Sequence, residues 1–108
     1  MKWTNDVSVV STAMADAIGR GDVQEVGNLL ARGAPVRARG PGGVTYLHLA
    51  ALAGMGEIAR LLLEYEAEVG AVDDAGRTAL GMAQAGGRGE VVEWLVKYGT
   101  ANNSVNGQ

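Results

Sequence analysis

TYLHLAALAGMGEIARLLLEYEAEVGA, residues 45–71, is the stretch that decides the fold. Its apolar residues fall at Leu47, Leu49, Ala50 and Ala51, then again at Ile58, Leu61, Leu62 and Leu63. That is the spacing of one helical face, written twice, with Gly54-Met55-Gly56 between the two. Helices so short and so close together form an antiparallel pair. Thr45 stands just before the first pattern, where an N-cap hydroxyl accepts a hydrogen bond from an orphan N–H. Neither helix exceeds about ten residues, a length that is marginal in water, so the pair requires neighbours.

The rest of the chain supplies them at a fixed step of 33 residues. Moved forward by that step, Thr45, Leu47, Ala50 and Gly54 land on Thr78, Leu80, Ala83 and Gly87, and Ile58, Leu62 and Tyr65 on Val91, Leu95 and Tyr98. Moved backward, Thr45, Ala50 and Gly54 meet Thr12, Ala17 and Gly21, and Leu62-Leu63 meets Leu29-Leu30. No gap is needed. Self-similarity at such a period marks stacked supersecondary units that bury their apolar faces against one another.

The motif residues resemble the ankyrin repeat. A T-P-L-H-x-A-A signature is matched by TYLHLAA at 45–51, L-L-x-x-G-A by LLARGA at 29–34 and LLEYEA at 62–67, and D-x-x-G-x-T by DDAGRT at 73–78. The resemblance implies an all-α solenoid of three helix-turn-helix repeats joined by β-turn or hairpin fingers. The repeats fall at about 7–39, 40–72 and 73–101. An N-terminal extension or cap takes 1–10, the repeat domain 11–101, and residues 102–108, rich in Asn and Gly, read as a disordered tail. Helices are expected near 13–18, 23–31, 46–53, 57–64, 79–85 and 90–97. Asp22-Val23-Gln24-Glu25 has capping-box spacing, and Gly33 and Gly99 take the C′ positions. Trp3 with Val9 and Val10 is expected to cover the first helices, and Asn28 to face outward.

Three departures from the pattern predict weakness. Glu66 occupies the C′ place held elsewhere by Gly33 and Gly99, Gly27 and Gly81 lie inside helices, and Ala85-Gly86-Gly87 is expected to shorten or loosen the third inter-helix turn.

Composition limits the chemistry. The chain has 108 residues, 47% hydrophobic and 5% aromatic, without Phe or Cys, and a net charge of −3. A domain of this size builds a modest aliphatic core. Without cysteine it has no disulfide framework, thiolate metal site or cysteine nucleophile. The N-terminus shows no 7–15-residue apolar run of a signal peptide, and no segment approaches the roughly 20 apolar residues of a membrane span. A cytoplasmic or nuclear protein is expected. His48, the single histidine, has no companion nucleophile or ligand set around it in the sequence; in the ankyrin pattern this residue braces the finger. The acids Glu64, Glu66, Glu68, Asp73 and Asp74 lack calcium-loop spacing, and residues 37–43 lack the Gly-Lys-Ser/Thr ending of a phosphate loop. No catalytic residue, metal or cofactor is assigned.

The function implied by the resemblance is non-enzymatic binding of another protein, as an adaptor or inhibitor, through the finger tips and the exposed side of the first helices. The residues assigned to that face are Arg20, Arg32, Arg39, Val44, Leu52, Tyr65, Asp74, Arg77 and Tyr98. The chain is expected to be a monomer. One alternative is binding of nucleic acid or another anionic ligand through Arg20, Arg32, Arg37 and Arg39, against which the net charge argues. Another is a fragment of a longer array.

Overall fold

The computed structural model describes the main chain of residues 7–107 and the side chains of residues 12–99. Among the described residues, six α-helices follow one another: α1 Val7–Arg20, α2 Val23–Ala31, α3 Tyr46–Ala53, α4 Gly56–Glu64, α5 Ala79–Ala85 and α6 Gly89–Gly107. They form three antiparallel hairpins. α1, α3 and α5 pack side by side as an inner row, and α2, α4 and α6 as an outer row. The solenoid of three repeats is therefore present as the period required.

The hairpin turns show how one local sequence makes one geometry. Gly21, Gly54 and Gly87 have φ of 71°, 72° and 68°, the left-handed region where only glycine is unstrained. Each turn then closes with the same bond, from the N–H of Asp22, Met55 or Arg88 to the carbonyl of Ala17, Ala50 or Ala83, at 2.9, 2.9 and 2.8 Å. At Ala85-Gly86-Gly87 this closing bond is kept, while α5, at seven residues, stops one residue earlier in its repeat than the eight-residue α3. Gly87 performs the job of Gly21 and Gly54, and Gly86 merely ends α5.

The helix starts follow the same logic. Asp22 Oδ1 accepts the Glu25 N–H at 3.1 Å, and Thr45 and Thr78 cap α3 and α5 by accepting the N–H of His48 and Gly81. α1 begins well before the expected 13–18, because no proline or glycine between Val7 and Ser11 interrupts it. Trp3 lies outside the described residues, as do the side chains of Val9 and Val10. Asn28 is exposed, as expected.

At the ends of α2 and α4, Leu29 and Leu62 accept the N–H of Ala34 and Ala67, both at 3.0 Å. This closure needs a left-handed residue between, and Gly33 and Glu66 supply it at φ 98° and 72°. Glu66 is the one non-glycine residue with positive φ among those described. The strain is worth on the order of 1 kcal/mol, so Glu66→Gly is expected to raise stability by about that amount. Arg37 bonds only the carbonyl of Glu66 and would keep its partner. Chemical denaturation tests this: an unchanged or lower midpoint would refute the strain.

Gly99 behaves differently. It lacks positive φ, and α6 runs past it to Gly107. Residues 100–106 contain no proline or glycine to break the helix, whereas Pro35 follows Gly33 closely. The tail expected to be disordered is helical through residue 107 in this structure.

Inside the stack lie Met14, Ile18, Val26, Leu29, Leu47, Ile58, Leu62, Val91 and Leu95, all at most 2% exposed. Alanines at 17, 50, 51, 59 and 83 are also buried; small residues there let helices of adjacent repeats approach closely.

Candidate partner-binding face

Two fingers, residues 34–44 and 67–77, project from the bases of the hairpins. Each is pinched by an antiparallel bridge, Arg39 with Thr45 and Val72 with Thr78. Each is closed by a further bond, Gly40 N–H to Val44 carbonyl at 2.8 Å and Asp73 N–H to Arg77 carbonyl at 3.0 Å.

The second finger is built around a buried carboxylate. Asp73 Oδ1 accepts the N–H groups of Ala75 and Arg77 at 3.0 and 2.8 Å, and Oδ2 accepts Arg77 Nε at 2.9 Å. The Arg77 main-chain N–H, aided by its guanidinium and by the Ala75 N–H, holds the carboxyl below the ordinary 3.8, against the opposing effect of burial. A lowered folded-state pKa means stability that is present above about pH 4 and lost as pH falls through the folded value. The stability difference between wild type and Asp73→Asn, followed by thermal melts from neutral pH downward, is therefore expected to shrink below pH 4. A constant difference would count against the charge as its cause.

The fingers are locked to each other. Asp74 donates its N–H to the Gly42 carbonyl at 2.8 Å. Arg39 Nη1 donates to the carbonyls of Val72 and Gly43 at 2.6 and 3.1 Å, and Arg37 Nε to that of Glu66 at 2.9 Å. Gly43, at φ 74°, sits directly under Asp74.

His48 ties the inner row to the second finger. Its Nε2 lies 2.8 Å from the Arg77 carbonyl, an acceptor only, so Nε2 carries the proton. Nδ1 then accepts the Thr45 N–H at 3.2 Å and faces the Thr45 hydroxyl at 2.8 Å. Both ring nitrogens are occupied and the residue is 1% exposed, which is a brace and leaves no atom for chemistry.

One repeat earlier the brace is missing. Ala15 stands where His48 stands, and the space a ring would occupy is part of a groove of about 430 Å³. Thr12 and Ala15 of α1, Tyr46 and Leu49 of α3, and residues 38–41 with Val44 of the first finger line it. The sequence reading missed this groove, although comparing positions 15 and 48 would have found it.

The nine residues assigned from sequence do not come together on one face. Arg39, Val44, Asp74 and Arg77 belong to the fingers. Arg20 and Leu52 lie at the C-ends of inner helices, the ends remote from the fingers, and Leu52 is 58% exposed. Arg32, Tyr65 and Tyr98 are on the outer row, Arg32 and Tyr65 capping α2 and α4. Tyr98 lines a separate groove with Arg37, Glu66 and Val69. The fingers follow the outer helices and precede the inner ones, so antiparallel pairing puts these C-ends at opposite ends of the hairpins. Several of the nine are also engaged internally: Arg39 as above, Arg77 with Asp73, and Arg20 with Asp16 and Asp22 at 3.0 and 3.2 Å.

Among the described residues, every buried side-chain nitrogen and oxygen has a hydrogen-bond partner, and no cluster of His, Cys, Asp or Glu could hold a metal ion. No helix there is long and apolar enough to cross a membrane.

A comparison with curated proteins gave no match. The family model for ankyrin repeats (3 copies) matches residues 11–106, nearly the whole chain. Ankyrin repeats are generally protein–protein interaction modules, and this chain belongs to the ankyrin-repeat family.

Proposed function

We propose that the chain is a non-enzymatic module that binds another protein along its inner row, with the Ala15 groove as the principal grip. The groove carries this reading. Ala15, Ala38, Pro41, Val44 and Leu49 give it mostly apolar walls, and concave apolar sites that hold a few side chains of a partner dominate binding energy. Leu52, exposed farther along the same row, supplies a second apolar contact. Binding of nucleic acid through the arginine sector finds less support. Arg37 and Arg39 are turned onto main-chain carbonyls and Arg20 is paired with two acids.

Affinity capture tests the face, using wild type, Ala15→Trp to fill the groove, Leu52→Glu, and Gln24→Lys on the outer row. The expected result is loss of captured proteins with the first two variants and retention with the third. If Ala15→Trp and Leu52→Glu both keep every captured protein, the inner row is not the binding face.

A further inference from the structure

The two fingers are copies of each other, and one bond of the second has no counterpart in the first. In the second finger the Arg77 carbonyl accepts the Asp73 N–H at 3.0 Å and His48 Nε2–H at 2.8 Å. In the first the Val44 carbonyl accepts the Gly40 N–H at 2.8 Å, and a carbonyl oxygen has two lone pairs. Ala15, in the place of His48, has no side-chain donor to offer the other. The same bridge and the same closing bond aim this carbonyl at the space beside Ala15. Thr12, Ala15 and Val44, the counterparts of Thr45, His48 and Arg77, all line the groove. It lies between two repeats, with α1 on one side and α3 and the finger on the other, and not at an end of the stack.

The two sites differ in one respect that selects the ring. α3 begins at Tyr46, which leaves the Thr45 N–H for His48 Nδ1. α1 begins at Val7, so the Thr12 N–H lies in mid-helix and is taken by the carbonyl four residues earlier. The first site thus keeps the main-chain acceptor and lacks the main-chain donor. An imidazole there would leave one ring nitrogen without the donor it uses in the second repeat, at a cost. Indole has one N–H and no acceptor to satisfy. Charge favours the same ring. Arg39 is the one charged residue lining the groove; a cation there opposes a protonated imidazole and attracts a neutral, electron-rich ring, indole best of all. Ala38, Pro41 and Leu49 give apolar walls, and about 430 Å³ accommodates the larger bicyclic ring.

Resting on the reading of this groove as the principal grip, we propose that it takes the indole ring of a tryptophan carried by the partner protein, with the indole N–H donated to the Val44 carbonyl. Ala15 and Pro41 are exposed, so the groove is open to a ring arriving from solvent.

Magnetic-resonance titration of the full chain with N-acetyltryptophanamide tests this without a partner. The amide shifts of Ala15, Gly40 and Leu49 and the carbonyl-carbon shift of Val44 should move, with a Kd on the order of 1 mM. The analogue methylated on the indole nitrogen should bind about fivefold more weakly and leave the Val44 carbonyl unmoved. N-Acetylhistidinamide and N-acetylphenylalaninamide should bind no better than that analogue. Ala15→Phe fills the groove at an exposed position, so its thermal midpoint should match wild type while the shifts disappear. Wild type without these shifts overturns the proposal. So does equal binding of the methylated, histidine or phenylalanine probe, or shifts that survive in Ala15→Phe. The binding face is judged apart from this: should the indole probe fail while Ala15→Trp still loses captured proteins, the groove stays the grip and the tryptophan assignment alone falls.

Discussion

Replacing His48 with alanine is expected to cost about 3 kcal/mol of folding stability, near the middle of the range for emptying a filled buried site. The loss has three parts. The imidazole fills a fully buried space between α3 and the second finger. Its Nδ1 accepts the Thr45 N–H, which is left without a partner near the 6%-exposed Thr45. Its Nε2–H reaches the Arg77 carbonyl, 29 residues on, across the boundary between repeats. For a domain of this size the thermal midpoint should fall by on the order of 10–20 °C. His48→Gln can still offer an N–H toward Arg77 and should recover part of the loss. A His48→Ala protein melting with wild type would show that the ring is not a structural brace.

Gly43→Ala is expected to lower stability by about 2–3 kcal/mol, combining left-handed strain with a forced displacement. A Cβ at Gly43 would lie 2.6 Å from Asp74 Oδ1 and 3.1 Å from the Asp74 main-chain nitrogen. The carboxylate can rotate away. The nitrogen is fixed by its bond to Gly42, so the second finger must shift. Gly76→Ala separates the two costs, because Gly76 has φ 81° and open space around its Cβ position. It should lose only the conformational part, roughly 1 kcal/mol. Equal denaturation midpoints for the two variants would mean that the close approach between fingers contributes nothing.

Much of the architecture was readable because it depends on local rules repeated at a fixed step. Thr45 as a cap, Gly21 and Gly54 as turns and the conflict at Glu66 each follow from what a single backbone position demands. Gly99 misled because a C′ glycine permits a left-handed turn without enforcing it, and nothing after it breaks the helix. The site was less legible. A period gives the register of each residue but not whether its side chain is already occupied, and Arg39 and Arg77 are spent on neighbouring groups. Tyr65 and Tyr98 share a repeat position, yet that position belongs to the outer row. The groove escaped notice because its cause is a small residue, Ala15, in a column where His48 draws attention.

Four bonds between repeats share one property: Arg37, Arg39, His48 and Arg88 all end on main-chain carbonyls, of Glu66, Val72, Arg77 and Leu52. A carbonyl is present whatever residue carries it. The side chains at these four accepting positions can therefore change during evolution or in a randomised library without breaking the links that hold one repeat to the next. Two of them, Leu52 and Val72, are exposed apolar residues. At Leu52 and Val72 the exposed surface can therefore change its chemistry while these links between repeats stay in place.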